Sequence, residues 1–162
     1  MRTTIRALLL TLIATVSTIA MAQEPVKPAD DQEKLLGSPV AKLAANKRFV
    51  YDFWREVFEG GHMDRVDHYL AEGYIQHNPN VPTGRDGFVS VFSKIAKPVE
   101  IEPKIKAPLV AVVADGDFVV LAFGRSYPDP KDASKTYTTT WFDMFRIENG
   151  LIVEHWDPAQ KR

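Results

Sequence analysis

Five polar side chains sit next to apolar stretches of this sequence and are of types that bind or move protons. Asp143 lies in Thr140-Trp141-Phe142-Asp143-Met144-Phe145, where both alternating faces are apolar. Burial raises the pKa of a carboxyl group by penalising its charged form, which suits Asp143 to work as a proton donor or base near neutrality. The competing reading is an aspartate at a strand bulge, bonded to backbone or to Arg146. His155 and Asp157 follow in Glu154-His155-Trp156-Asp157 and share one face of an extended strand, an imidazole beside a carboxylate. His77 and Asn78 lie in Gln76-His77-Asn78-Pro79. They read either as further site residues or as a turn in which Asn78 caps its own backbone and His77 faces solvent.

Other chemistries find less support. The 162 residues contain no cysteine, so disulfides, thiolate metal sites and a cysteine nucleophile are excluded together. No G-x-S-x-G element accompanies a histidine, and Ser90 and Ser93 fall within a helical pattern. Gly84-Arg85-Asp86-Gly87 lacks the spacing and lysine of a phosphate loop. His62, Asp64, Asp67 and His68 are close in sequence, but His62 precedes the helix and His68 faces solvent, so no metal site is expected. A formal charge of −1 argues against a nucleic-acid binder. With 45% hydrophobic and 10% aromatic residues, the chain has the material for one globular core.

The elements that would position these residues begin after an export signal. Arg2 and Arg6 precede the apolar run Ala7–Ile19, and Ala20-Met21-Ala22 fits a small-x-small cleavage site. Residues 1–22 therefore read as a signal peptide cut after Ala22. They are short for a membrane span, so no stable membrane insertion is expected after cleavage and the product is expected to be periplasmic or secreted. Cleavage leaves 140 residues with a formal charge of −3. Residues 23–37, rich in Pro, Lys, Asp and Glu, read as a flexible tether with at most one helical turn. The domain proper is expected over 38–162.

Within it, Ser38-Pro39 opens a helix whose apolar positions run from Val40 through Phe53, Trp54 and Phe58 to Gly60-Gly61. Met63, Val66 and Leu70 suggest a second, shorter helix. Tyr74–Asn78 is extended ahead of Pro79. Phe88, Val91, Phe92 and Ile95 mark a third helix. The period then changes to two. Val99–Ala107 reads as a strand that Pro103 confines to an edge or a bulge. Leu109–Ala114 and Phe118–Phe123 form a hairpin around Asp115-Gly116, Tyr127–Ser134 is a polar loop, and Lys135–Ile147 pairs with Leu151–Asp157 around Asn149-Gly150. In that last hairpin a two-residue loop would put Asp143 opposite Trp156, with His155 on the other face. A three-residue loop with a glycine bulge would pair Asp143 with His155 and put Asp157 opposite Trp141. Helices followed by antiparallel strands indicate an α+β fold, a curved antiparallel sheet wrapped over about three helices as a cone with a central pocket.

Two stretches carry a family resemblance. Tyr74-Ile75-Gln76-His77-Asn78-Pro79, followed by Gly84 before a short helix, and the closing run Asp143-Met144-Phe145-Arg146-Ile147-Glu148-Asn149-Gly150-Leu151-Ile152-Val153-Glu154-His155-Trp156-Asp157 resemble the SnoaL-like polyketide cyclases. These belong to the nuclear-transport-factor-two-like superfamily, which includes ketosteroid isomerase, and the likeness spans about residues 40–158. It implies that Asp143 stands where the isomerase keeps a protonated aspartic acid in its oxyanion hole. Asn78 stands where the isomerase keeps its catalytic aspartate, so steroid isomerisation is not implied. An asparagine there resembles the cyclases, which bind a substrate carbonyl or enol in this stretch. His155 and Asp157 are then candidates for the acid–base group.

The resemblance also implies that these positions line the cone, and that the outer face of the sheet makes a homodimer. The expected partner is a small hydrophobic carbonyl compound. The expected chemistry is aldol-type cyclisation, isomerisation or dehydration, which are proton transfers and require no cofactor. Trp54, Phe92, Trp141 and Trp156 are the candidate apolar walls. The alternative is a non-catalytic ligand-binding or dimerisation module of the same fold.

Overall fold

A computed structural model describes residues 24–161. The expected signal peptide lies outside the described residues. Among those described, no helix is long and apolar enough to cross a membrane.

Three helices and two short helical turns precede or interleave with the strands, and their apolar faces line one side of the sheet. α1 (Gln32–Leu36) is capped by Asp31, whose side chain accepts a hydrogen bond from the Glu33 N–H. α2 (Ala41–Phe53) starts two residues later than Ser38-Pro39 suggests, because Ser38 Oγ accepts from the Val40 N–H in a turn before the helix. It runs on into a π-helical segment, Trp54–Glu59, before Gly60. The second helix expected from Met63, Val66 and Leu70 is a 3-10 turn over Met63–His68, and Leu70 already belongs to a strand. α3 (Arg85–Ile95) lies where the apolar period places it.

The second half of the expected tether packs against the domain. Gln32 and Leu36 are buried. The Gln32 amide donates to the Ile105 carbonyl at 2.9 Å and accepts from the Tyr51 hydroxyl at 2.6 Å and the Ile105 N–H at 3.1 Å. The preceding residues also dock, with the Ala29 N–H bonded to the Leu109 carbonyl at 2.8 Å. Polar composition misled here because one glutamine side chain substitutes for a strand partner.

The same contacts explain why Val99–Ala107 is not a strand. Its backbone is bonded by side chains: Ile105 by Gln32, and the Lys106 and Ala107 N–H groups by the Glu59 carboxylate at 2.7 and 2.9 Å. Pro103 removes one of the donors that a ladder would need, and Pro98 and Pro108 flank the stretch.

The sheet has five strands: β1 (Leu70–Gln76), β2 (Leu109–Asp115), β3 (Phe118–Asp129), β4 (Asp132–Glu148) and β5 (Leu151–Trp156). Their order is β1-β5-β4-β3-β2, antiparallel except for the parallel pair β1–β5. The polar loop expected over Tyr127–Ser134 is mostly strand. β3 and β4 continue as a ribbon in which Tyr127 pairs with Tyr137, and they turn only at Pro130-Lys131. Because this ribbon projects past the core, it shows no apolar alternation. One face of the sheet packs on Val50, Phe53, Val57 and Phe88 of the helices, through Leu121, Phe123, Phe145 and Ile152.

Candidate functional site

The last hairpin decides what faces the interior. Asn149 and Gly150 both have positive φ, 52° and 78°, which makes the tight two-residue turn joining Glu148 to Leu151. Neither simple register follows from it. Ile147 pairs with Ile152, but Arg146 pairs with Glu154, so Val153 is an extra residue in a bulge and the register shifts by one. Beyond the bulge Phe145 opposes His155 and Met144 opposes Trp156. The bulge lets Ile152 and His155, three residues apart, both face inward. Asp143 and His155 then meet diagonally rather than as direct partners.

Asp143 Oδ1 lies 3.0 Å from His155 Nε2, and both residues are buried. His155 Nδ1 lies 2.9 Å from Gln76 Oε1. The Asn78 backbone N–H also points at Gln76 Oε1, at 2.9 Å. A backbone N–H can only donate, so this atom of Gln76 must be the oxygen. His155 must therefore carry a proton on Nδ1, and Nε2 is left to share one proton with Asp143. The pair is either a protonated aspartic acid donating to a neutral imidazole, or an imidazolium donating to a carboxylate. Burial holds the Asp143 carboxyl above the usual carboxylate range, while His155 pulls it the other way. Asp143 Oδ2 is buried and has no hydrogen-bond partner among the described residues.

β1 supplies the rest by period two: Tyr74, Gln76 and, just past the strand, Asn78. Gln76 Nε2 donates to the Tyr74 hydroxyl at 3.0 Å. Burial, with the negative charge of Asp157 and Asp143, pushes the Tyr74 phenol well above the usual tyrosine range and keeps it a neutral O–H. Asn78 Nδ2 donates to Asp157 Oδ2 at 2.8 Å, and Asn78 Oδ1 accepts from the Asn80 N–H at 2.9 Å. Asn78 thus positions Asp157. The Ala159 N–H donates to Asp157 Oδ1 at 2.8 Å and fixes the chain after the strand.

These groups open on a cavity of about 1040 Å³, with Asp143, His155, Asp157, Asn78, Gln76 and Tyr74 in its lining. Its apolar walls include Trp54, Phe92 and Trp141. Trp54 stacks on Phe58 and Phe123 at 4.2 and 4.6 Å between ring centres, and Phe88 stacks on Phe92 at 4.2 Å.

Two expected site residues are not there. His77 and Trp156 lie on the other side of the sheet, stacked on each other with ring centres 5.0 Å apart. His77 Nε2 is 2.8 Å from Glu154 Oε1, and Arg146 bonds the second oxygen of Glu154. Alternation forces this, since neighbours of Gln76 and His155 must face outward.

Gln76 and Tyr74 were missing from the expected site. The signal that points to them is the period-two series Tyr74, Gln76, Asn78 on one strand face.

Among the described residues, the group that could hold a metal ion is Asp143, His155 and Asp157, whose donor atoms lie within 4.8 Å of one another. A cation there would take the place of the proton between Asp143 and His155, with Gln76 orienting the imidazole from behind. His62 is turned instead to the Val99 carbonyl, 2.8 Å away.

The raised Asp143 pKa makes a prediction about stability. The folded protein holds this proton more tightly than the unfolded chain does. That stabilisation is fully present below about pH 4 and is lost as pH rises through the folded value. The urea midpoint of the wild type is expected to fall relative to that of Asp143→Asn between pH 4 and pH 8. A pH-independent difference between the two would show that burial does not shift this carboxyl.

An open curved sheet over helices, with a polar cluster at the base of an aromatic-walled cone, defines the nuclear-transport-factor-two-like class of α+β proteins. The SnoaL-like domain family matches residues 50–155, more than half of the chain, and the protein belongs to that family. None of the curated proteins matches the sequence.

Solved structures agree on the fold. A proposed polyketide cyclase from Acidithiobacillus ferrooxidans is 19% identical with a TM-score of 0.50, over 75% of this chain and 89% of its own. A nuclear-transport-factor-two-like protein of unknown function from Burkholderia pseudomallei is 16% identical with a TM-score of 0.51, over 72% and 91%. A proposed SnoaL-like polyketide cyclase from Jannaschia is 16% identical with a TM-score of 0.50, over 75% and 90%.

Proposed function

We propose that this domain binds a small, largely apolar carbonyl compound in the cone and catalyses proton transfer next to the carbonyl. The observation that carries this reading is the buried Asp143–His155 pair, which shares one proton and leaves Asp143 Oδ2 unpaired beside an aromatic-walled cavity. Asp157, oriented by Asn78, is the base. The neutral Tyr74 hydroxyl, which accepts from Gln76 and keeps its own proton, donates to the developing enolate oxygen, and the single O–H of protonated Asp143 joins it by turning from His155 Nε2 to the ligand. Such a site serves aldol-type cyclisation, isomerisation or dehydration, and the proton transfers themselves need no cofactor.

Deuterium exchange at the carbon next to the carbonyl of aryl ketones in D2O, followed by NMR, tests the reaction. Exchange above the buffer rate is expected for ketones that bind. Tight binding without exchange would support the second reading, a non-catalytic ligand-binding module. That reading is favoured by the mutual satisfaction of Asp143 and His155, which also suits a purely structural pair.

The other side of the sheet exposes Val113, Phe118 and Phe142, and we propose it as the surface of a homodimer. Light scattering is expected to give twice the mass of the mature chain, and a monomer at high concentration would count against it. Residues 1–22 are proposed as a cleaved export signal. N-terminal sequencing of the secreted or periplasmic protein is expected to start at Gln23.

A further inference from the structure

Five of the six arginines among the described residues have a protein partner. Arg48, Arg55, Arg65 and Arg146 form ion pairs, and Arg85 donates to the Leu70 carbonyl at 3.4 Å. Arg125 is the exception, with neither an ion pair nor a hydrogen bond to the protein. It is held instead by an aromatic face, its guanidinium carbon 5.0 Å from the centre of the Trp141 ring.

Arg125 also lines the cavity, as do Trp141, Asp143 and Lys161. On β3 it pairs with Thr139, two residues outward from the Phe123–Trp141 pair and four from the Leu121–Asp143 pair. Tyr127 and Tyr137 stack just beyond it, ring centres 5.8 Å apart, and line the same cavity. The concave face therefore runs from a buried carboxyl, past an aromatic wall, to an arginine pre-oriented by that wall and making no hydrogen bond or ion pair with the protein.

We propose that the ligand of this cavity is an amphiphilic anion whose carboxylate seats on Arg125 while its apolar body and carbonyl reach inward to Asp143. This rests on the pocket-binding reading above and specifies its substrate class. A guanidinium with no internal acceptor keeps its full fork of donors for a planar oxyanion, and stacking on Trp141 limits the freedom it loses on binding. The strand rise sets the length of the ligand. Trp141, under the guanidinium, is two residues from Asp143 and Arg125 is four from Asp143's partner, so the anionic group stands roughly 7–13 Å from the reacting carbon. Lys161 supplies a second cation to the same cavity.

The test uses 8-oxo-8-phenyloctanoate and its primary amide, which differ in charge and match in shape and carbonyl. Each is titrated calorimetrically at pH 7 into the mature chain. The acid is expected to bind about tenfold or more tightly than the amide, as charge-assisted hydrogen bonds do. Arg125→Met is expected to bring the two within about twofold of each other by weakening the acid alone, and Arg125→Lys to keep part of the preference. Equal affinities on the wild type overturn the proposal while leaving the pocket reading intact. A preference that survives in Arg125→Met overturns the assignment to Arg125. Binding of neither probe overturns the proposal together with the reading beneath it.

Discussion

Replacing Asp143 with asparagine is expected to slow proton abstraction from a bound ketone by about 10²–10⁴-fold, the range that a positioned acid or base supplies. The fold should survive, because the geometry can accept the amide. With Gln76 holding a proton on Nδ1, His155 Nε2 can accept from an asparagine N–H as it does from a protonated aspartic acid. The substitution removes only the exchangeable acid. Asp157→Asn is expected to cause a loss in the same range without a change in melting temperature of more than a few degrees. The measurement is the deuterium-exchange rate under saturating ketone, with circular dichroism as the folding control. Unchanged exchange in both variants would exclude these carboxyls as the proton-transferring groups.

Gln76 produces the second large effect, and on a different observable. Its oxygen accepts from the Asn78 N–H and from His155 Nδ1, and its amide nitrogen donates to Tyr74. Leucine at this position would strand two donors and remove the reason for the His155 tautomer. With each orphaned buried donor costing about 1–3 kcal/mol, Gln76→Leu is expected to lose about 2–6 kcal/mol of stability in urea denaturation. Gln76→Glu should be far milder, since a carboxylate accepts both donors and the Tyr74 hydroxyl can reverse to donate. Nitrogen-15 NMR of the His155 ring supplies a second readout. The Nδ1–H form is expected in the wild type and in Gln76→Glu, and a mixture of tautomers in Gln76→Leu. Equal stability of the leucine and wild-type proteins would mean that the network does not hold this site together.

The fold was readable from sequence wherever burial imposed a period. Phe53 of α2, Phe88 of α3 and the paired runs around Asn149-Gly150 each have one face to hide, and these elements lie where that face predicts, whereas Val40 and Ile95 at the helix ends are exposed. The errors fall where hydrogen bonds do what apolar contact does elsewhere. Gln32 and Glu59 bind a proline-rich stretch by its backbone, and neither side chain announces that in a hydropathy pattern. The exposed β3–β4 ribbon has no buried face, so its strands looked like a loop.

For the site, Asp143 stood out because a carboxylate among aromatic residues demands a reason. Gln76 did not, since a glutamine in a half-buried strand is ordinary until its partner is known. His77 looked attractive as a histidine and was excluded by parity alone, one position from Gln76.

Parity also gives Val153 a meaning beyond its own side chain. The segment after it behaves like a message whose reading frame is set by one extra letter. In the observed frame, imidazole and carboxylate enter the cone, and Glu154 and Trp156 go to the far side, beside Arg146 and His77. Without the extra residue's dislocation the two sets would trade places, turning the indole inward and the imidazole out. A relative with one residue more or fewer between Asn149-Gly150 and the histidine could therefore keep every letter of the closing motif and still present a different chamber to its ligand. In this chain, the length of that short segment governs which side chains face the ligand as strictly as their identity does.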